Sequence, residues 1–162
     1  MGTGRDVVDG IRDAWAQRRP ELDTAPIAVV GRILRAARFL QEAADDRLAG
    51  AGLTRAEFDV LSQLRRHGGP LRAGDLTAGV VGSPAATTKR LHKLGEAGLV
   101  RRTVDPEDGR AARVSLTGAG EQLVDELLPR QLAAEAELLE AFTPDQREQL
   151  AELLRSALLA WE

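Results

Sequence analysis

Thr87, Thr88, Lys89, Arg90 and Lys93 fall within one stretch of seven residues. Their hydroxyls and cations are the groups that hydrogen-bond base edges and neutralise phosphates. Ser83 and Pro84 open this stretch as N-cap and first helical residue, and Gly98 closes it, so a helix is predicted from Ser83 to about Ala97. Leu91 and Leu94 supply an apolar seam, leaving the five polar residues on the outer face. The following segment, GLVRRTVDPEDGRAARVSLT over 98–117, reads as two short extended runs flanking a polar turn tipped by Arg110. A helix followed by such a hairpin is how a DNA-binding wing reads, and a winged helix-turn-helix is expected.

Charge is distributed to match. The chain of 162 residues carries a net charge of −3, which by itself disfavours a polyanionic partner. Residues 65–113, however, hold ten Lys or Arg against five Asp or Glu, a segment charge of +5, with −8 left for the remainder. Positive charge gathers where the helix and wing lie, which is an electrostatic footprint for DNA. With no cysteine, thiol redox sensing, disulfides and cysteine-based zinc sites are excluded. His67 and His92 are the only histidines and have no carboxylate spacing that suggests a metal site or a general base. No cofactor, no metal and no enzymatic activity are expected. No apolar run approaches the roughly 20 residues of a membrane span, so a cytoplasmic protein without membrane contact is predicted.

These residues need a scaffold, and the periodicity supplies a mainly α fold with a small β-hairpin. Val8, Ile11 and Trp15 recur at helical spacing between Arg5 and about Arg18, ahead of a linker between Pro20 and Pro26. A helix that short is marginal alone and must dock on something. A second helix is predicted from about Ile27 to Leu48, with Ile27, Val30, Ile33, Leu34, Ala37, Leu40, Ala44 and Leu48 on one broad apolar face. Thr54 and Glu57 form a capping box for a helix carrying Phe58, Leu61 and Leu64 inward. Leu71 to about Ala78 is expected as the first helix of the turn motif, with Gly79 to Gly82 bending into the Ser83 helix. After the wing, a helix runs from about Gly118 to Ala141 with Pro129 inside it, and a last one is opened by Thr143, Pro144 and Gln146. Leu150, Leu153, Leu154, Ala157, Leu158 and Trp161 make its stripe. Long amphipathic helices at both ends imply intertwining with a second copy, and a two-fold dimer presents paired recognition helices to a palindrome. The boundaries are 1–26 for the extension helix and linker, 27–52 for a dimerisation helix, 53–117 for the winged helix-turn-helix and 118–162 for C-terminal dimerisation helices.

The helix order, SPAATTKRLHKLGEAGLVRR, DPEDGR and VSLTGAG together resemble the MarR family of bacterial transcription regulators over residues 27–162. Asp108 and Arg110 match the DxR of its wing, followed by Leu116, Thr117 and Gly120. The resemblance implies that Arg110 enters the minor groove and that Ser83, Thr87, Thr88, Lys89 and Lys93 lie near the major groove. With Arg90 and Arg113 they complete the expected DNA-binding set.

The extra N-terminal helix carrying RDAWAQR is similar to that of the urate-responsive MarR subfamily. That resemblance implies a ligand site of Trp15, Asp59 in EFDVL, Arg90 in TTKRL and Arg102 in GLVRR. The residue types suit a flat purine monoanion. Arg102 offers a forked donor pair, and Trp15 an indole N–H with an apolar ring face. Asp59 would pair with an arginine in the free protein and be displaced by an arriving anion. Arg90, on the reading helix, would transmit the exchange as release of DNA. The expected function is a homodimeric repressor on a palindromic operator, released by a small anion such as urate. Alternatives are a MarR-type regulator responding to phenolic or polycarboxylate ligands, and a winged-helix protein-interaction module.

Overall fold

The computed structural model describes residues 4–78, 83–106, 108 and 112–161. It is mainly helical with one small sheet, and it divides into two compact units, Met1–Arg55 and Ala56–Glu162.

In the first unit, α1 (Val7–Arg18) starts at Asp6, whose carboxylate accepts the N–H groups of Val8 and Asp9 while Asp9 returns a bond to the Asp6 N–H. This reciprocal cap satisfies donors that an isolated helix end leaves orphaned. α1 packs on α2 (Ala25–Leu48). Val8 is fully buried over Gly31, where an added Cβ would come within 3.3 Å of its Cγ1, so the missing side chain permits the close approach. The guanidinium of Arg32 forks onto Asp6 and Asp9 at 2.8–3.1 Å and also reaches the Ala28 carbonyl. Of the predicted stripe, only Val8 is buried; Ile11 and Trp15 remain well exposed. The broad face of α2 is likewise open at Val30, Leu34 and Leu40, with Ala44 and Leu48 buried. A 3-10 turn (Ala49–Ala51) follows, ending at Gly52 with φ 70°, a left-handed conformation glycine adopts without strain.

The second unit is built around α3 (Arg55–His67), whose Phe58, Val60, Leu61 and Leu64 are buried as the periodicity predicted. Leu76, Leu91, Leu94, Val100, Val114, Leu116 and Val124 complete that core. Each fully buried side chain of this size contributes about 1.5–3 kcal/mol. The stretch expected as one helix from Leu71 begins instead with a strand, β1 (Leu71–Arg72), and only then forms α4 (Ala73–Ala78). α5 (Pro84–Glu96) is followed by β2 (Val100–Val104) and β3 (Ala112–Leu116), and the three strands pair antiparallel in the order β1, β3, β2. The bend Gly79–Gly82 and the wing-tip Arg110 lie outside the described residues.

α6 (Gly118–Leu138) is capped by Thr117, whose hydroxyl accepts the Gly120 N–H at 3.1 Å and donates to the Gly98 carbonyl at 2.7 Å. Pro129 lies within it, as predicted. α7 (Pro144–Trp161) opens on the expected box, Thr143 and Gln146 each bonding the other's backbone N–H. None of its residues is buried, and Leu153, Leu158, Leu159 and Trp161 stand exposed.

Candidate DNA interface and effector residues

α5 forms where the sequence placed it. The Ser83 hydroxyl accepts the Ala86 N–H at 3.3 Å, Pro84 occupies the first turn, and Gly98 leaves the helix with φ 69°. Its inner face is Thr87, Leu91 and Leu94, all buried. Thr87 therefore does not belong to the outer face: positions 87, 91 and 94 fall on one side of a helix, and the threonine faces the core with the two leucines. Exposed on the other side are Ser83, Thr88, Lys89 and His92, with the Thr88 hydroxyl donating back to the Pro84 carbonyl and the His92 ring 3.3 Å from Glu96. Lys89 is the cation nearest the centre of that surface by helical position.

Two residues expected at DNA have protein partners. The Lys93 ammonium meets both oxygens of Glu57 at 2.8–2.9 Å, and Glu57, expected only to cap α3, is buried and binds α5 to α3. Arg113 lies on the neighbouring strand to β1 with its guanidinium 3.1 Å from the buried Asp105, so it faces that carboxylate rather than presenting an open cation.

The sheet sorts the remaining arginines. Side chains directly opposite on paired strands share a face, and the register sets Val100 against Leu116 and Arg102 against Val114. Arg102 thus leaves β2 on the same face as three buried residues, the side that turns toward the helices, while its own side chain is exposed. Arg101 leaves on the opposite face, where its Nε donates to the Ser115 hydroxyl at 3.0 Å. A cleft of about 250 Å³ lies on the Arg101 side, lined by Arg65, Gly69, Pro70, Ser115 and Glu121 among others. It includes none of Asp59, Arg90 and Arg102. Arg65 there is held by Asp125 through two bonds at 2.8 and 2.9 Å, which raise the arginine and lower the aspartate from their ordinary pKa values.

Asp59 and Arg90 are both partly buried, on α3 and α5, and both are engaged by other groups. Arg90 sits between the buried and outer faces of α5. In the first unit, Trp15 is 46 % exposed. Among the described residues, no three His, Asp or Glu side chains group in a way that would hold a metal ion, and no helix is long and apolar enough to cross a membrane. Sequence reasoning missed Arg72, Asp105 and Glu57. Only the burial of Asp105 and Glu57 against cations distant in the chain would have pointed to them, and residue spacing does not carry that.

A capped helix with one exposed polar, cationic face, followed at once by a hairpin and backed by two further helices, defines a winged-helix DNA-binding protein. Comparison with known proteins agrees. The MarR family model matches residues 51–111. The chain is 29% identical over 149 residues to the HTH-type transcriptional regulator PecS of Dickeya dadantii (strain 3937), covering 91% of this chain and 90% of that one. It is 30% identical over 102 residues to an uncharacterized HTH-type transcriptional regulator of Bacillus thuringiensis subsp. konkukian (strain 97-27), covering 63% of this chain and 67% of that one. In structure it is similar to BpsR of Bordetella bronchiseptica, whose DNA binding is regulated by 6-hydroxynicotinic acid, with a TM-score of 0.74, 26% identity and coverage of 80% and 91%. The chain belongs to the MarR family of DNA-binding transcription regulators.

Proposed function

We propose that this MarR-type regulator acts as a homodimeric repressor on a palindromic operator and is released by a small planar anion of the urate type. The observation that carries the DNA half is the exposed Ser83, Thr88, Lys89 surface of α5 beside the hairpin; on this reading Arg110, outside the described residues, is the minor-groove contact of the wing. The apolar residues left open on α2 and α7 favour a second copy as their cover, since patches of that kind mark association surfaces.

The effector half rests on Trp15, Asp59, Arg90 and Arg102. Arg102 is exposed on the helix-facing side of the sheet and offers a planar donor fork to an oxyanion. Asp59 and Arg90 are partly buried and each is engaged by another group; on this reading an arriving anion competes with Asp59 for an arginine. The half-open indole of Trp15 gives a planar ligand an apolar platform and a donor. A ligand that binds the non-DNA arrangement more tightly shifts the population away from DNA by that difference. Regulation of the similar BpsR by a planar heteroaromatic acid favours the same effector class here.

The test is binding to a palindrome-containing fragment from the protein's own upstream region, with urate, 6-hydroxynicotinic acid, a phenolic acid and citrate compared. Selective release by urate supports the purine reading. Release by one of the acids instead moves the effector to that class, and tight binding indifferent to all four removes the proposed site.

A further inference from the structure

The register of β1 and β3 sets Arg72 directly opposite Arg113. Like charges at one cross-strand pair repel. Both guanidiniums converge on Asp105: Arg72 Nε donates to Oδ2 at 2.7 Å, and Arg113 Nη2 lies 3.1 Å from Oδ1. The Asp105 side chain has no exposed surface at all, while Arg72 and Arg113 keep 47% and 30% of theirs. A carboxylate taken wholly out of water is tolerated when each oxygen meets a cation. The two like charges and the buried acid therefore depend on each other.

Their places in the chain give the cluster its meaning. Asp105 is the residue immediately after β2, where the chain leaves the sheet for the turn carrying Arg110, and Arg113 lies on the returning strand. Arg72 belongs to a strand of only two residues beside α4. A two-stranded ribbon is marginal and variably twisted by itself, and two ladder rungs to β1 add little stiffness. The buried carboxylate joins the outgoing limb of the wing, its returning limb and the strand before α4 at one point.

We propose that Asp105, Arg72 and Arg113 form a clamp that sets the posture of the wing, making them positioning residues for DNA binding. Arg113 then acts on DNA through the wing it holds, not by touching it. The clamp stiffens the wing before DNA arrives, which spares the ordering cost at binding. This inference rests on the wing being a DNA contact.

The test uses the full-length protein and a duplex that it selects from a pool of randomised 30-mers. Affinity is measured across a salt series, and the bound duplex is footprinted with hydroxyl radicals. Asp105→Asn should weaken binding at least tenfold, flatten the dependence of log K on log salt by about 0.9 for each phosphate no longer neutralised, and erase minor-groove protection at the flanks while central protection stays. A variant that only lowers the folded fraction changes the amount bound and moves neither slope nor footprint. Arg72→Gln leaves Asp105 with Arg113 and should show the same changes in smaller measure; it decides the matter if Asp105→Asn does not fold. Unaltered slope and flanking protection in a folded variant overturn the clamp. If the unmodified protein selects no duplex, the DNA reading falls and the clamp falls with it. If it selects one without any flanking minor-groove protection, only the clamp falls.

Discussion

The Lys93 ammonium lies 2.8 Å from Oε1 of Glu57, and the carboxylate is 7% exposed where the ammonium is 55% exposed. The recognition helix is thus tied to α3 by a charge-assisted bond with one buried end. Removing the cation takes the charge-compensating ammonium from the buried acid, whereas neutralising the acid removes the charge itself. Lys93→Met should therefore cost about 1–2 kcal/mol, below the roughly 3–5 kcal/mol of a fully buried pair because the ammonium is half in water. Glu57→Gln should cost less than Lys93→Met. Urea unfolding of both variants checks the order, and the reverse order contradicts this account of the pair.

Gly120 has its own steric demand. A Cβ built there overlaps the Leu99 carbonyl oxygen and approaches Leu116 Cδ2 at 3.2 Å. That carbonyl also accepts the Thr117 N–H at 3.0 Å, so it is not free to move aside. Gly120→Ala should destabilise by about 1–3 kcal/mol through the backbone shift it forces. Since this joint links the residues after α5 to the start of α6, the loss is expected in thermal melts of the whole chain. A variant as stable as the parent would show that the two segments yield more easily than they pack.

Arg32 holds the carboxyl of Asp6 below the ordinary range, and Asp9 is lowered first by the Asp6 backbone N–H and then by Arg32. Carboxylates with depressed folded pKa values stabilise the docked α1 above their unfolded value, about 3.9, and that contribution is lost as pH falls through the lower folded values. In a Trp161→Phe background, Trp15 emission should stay constant down to about pH 5 and change only below about pH 4. Arg32→Gln should move that change to higher pH. An unchanged midpoint in Arg32→Gln would separate α1 docking from this cluster.

The open apolar residues of α2 and α7 give the dimer a direct check. Leu34→Glu and Leu158→Glu each place a charge on one of those surfaces, at positions that are more than half exposed in the single chain. Light scattering should report a dimer for the parent and a monomer, or a concentration-dependent mixture, for the variants, with far-UV circular dichroism retained. Dimers of undiminished affinity in both variants would exclude these two positions from the interface.

Trp15→Phe keeps an apolar ring and removes the indole N–H. It should leave operator affinity as it is and raise the urate concentration needed for release, whereas Arg110→Ala should weaken binding and lower its salt slope. If Trp15→Phe responds to urate like the parent, the proposed effector site is wrong.

Local signals carried most of the fold. Ser83 with Pro84, Thr143 with Gln146 and the leucines of α3 each act within a few residues, so spacing alone revealed them. The buried side of α5 was legible too, since Thr87 shares its helical face with Leu91 and Leu94, but its hydroxyl suggested a base contact and overrode the period. β1 was not legible: two residues cannot show alternation, and its existence depends on pairing with β3 some forty residues later. Lys93 and Arg113 read as DNA contacts because a lone sequence shows a cation and not the buried acid opposite it. Arg102 and Arg101 look equivalent in the sequence, and only the register assigns them to opposite faces.

Among the described residues, α1 is fastened to α2 by one valine seated over a glycine and by one guanidinium gripping the two acids of its own cap. All of these positions lie within the first 32 residues. The docking of α1 is therefore self-contained. Asp6, Val8 and Asp9 on one helix meet Gly31 and Arg32 on the next, and the anchorage of the helix that carries Trp15 is encoded in that short span.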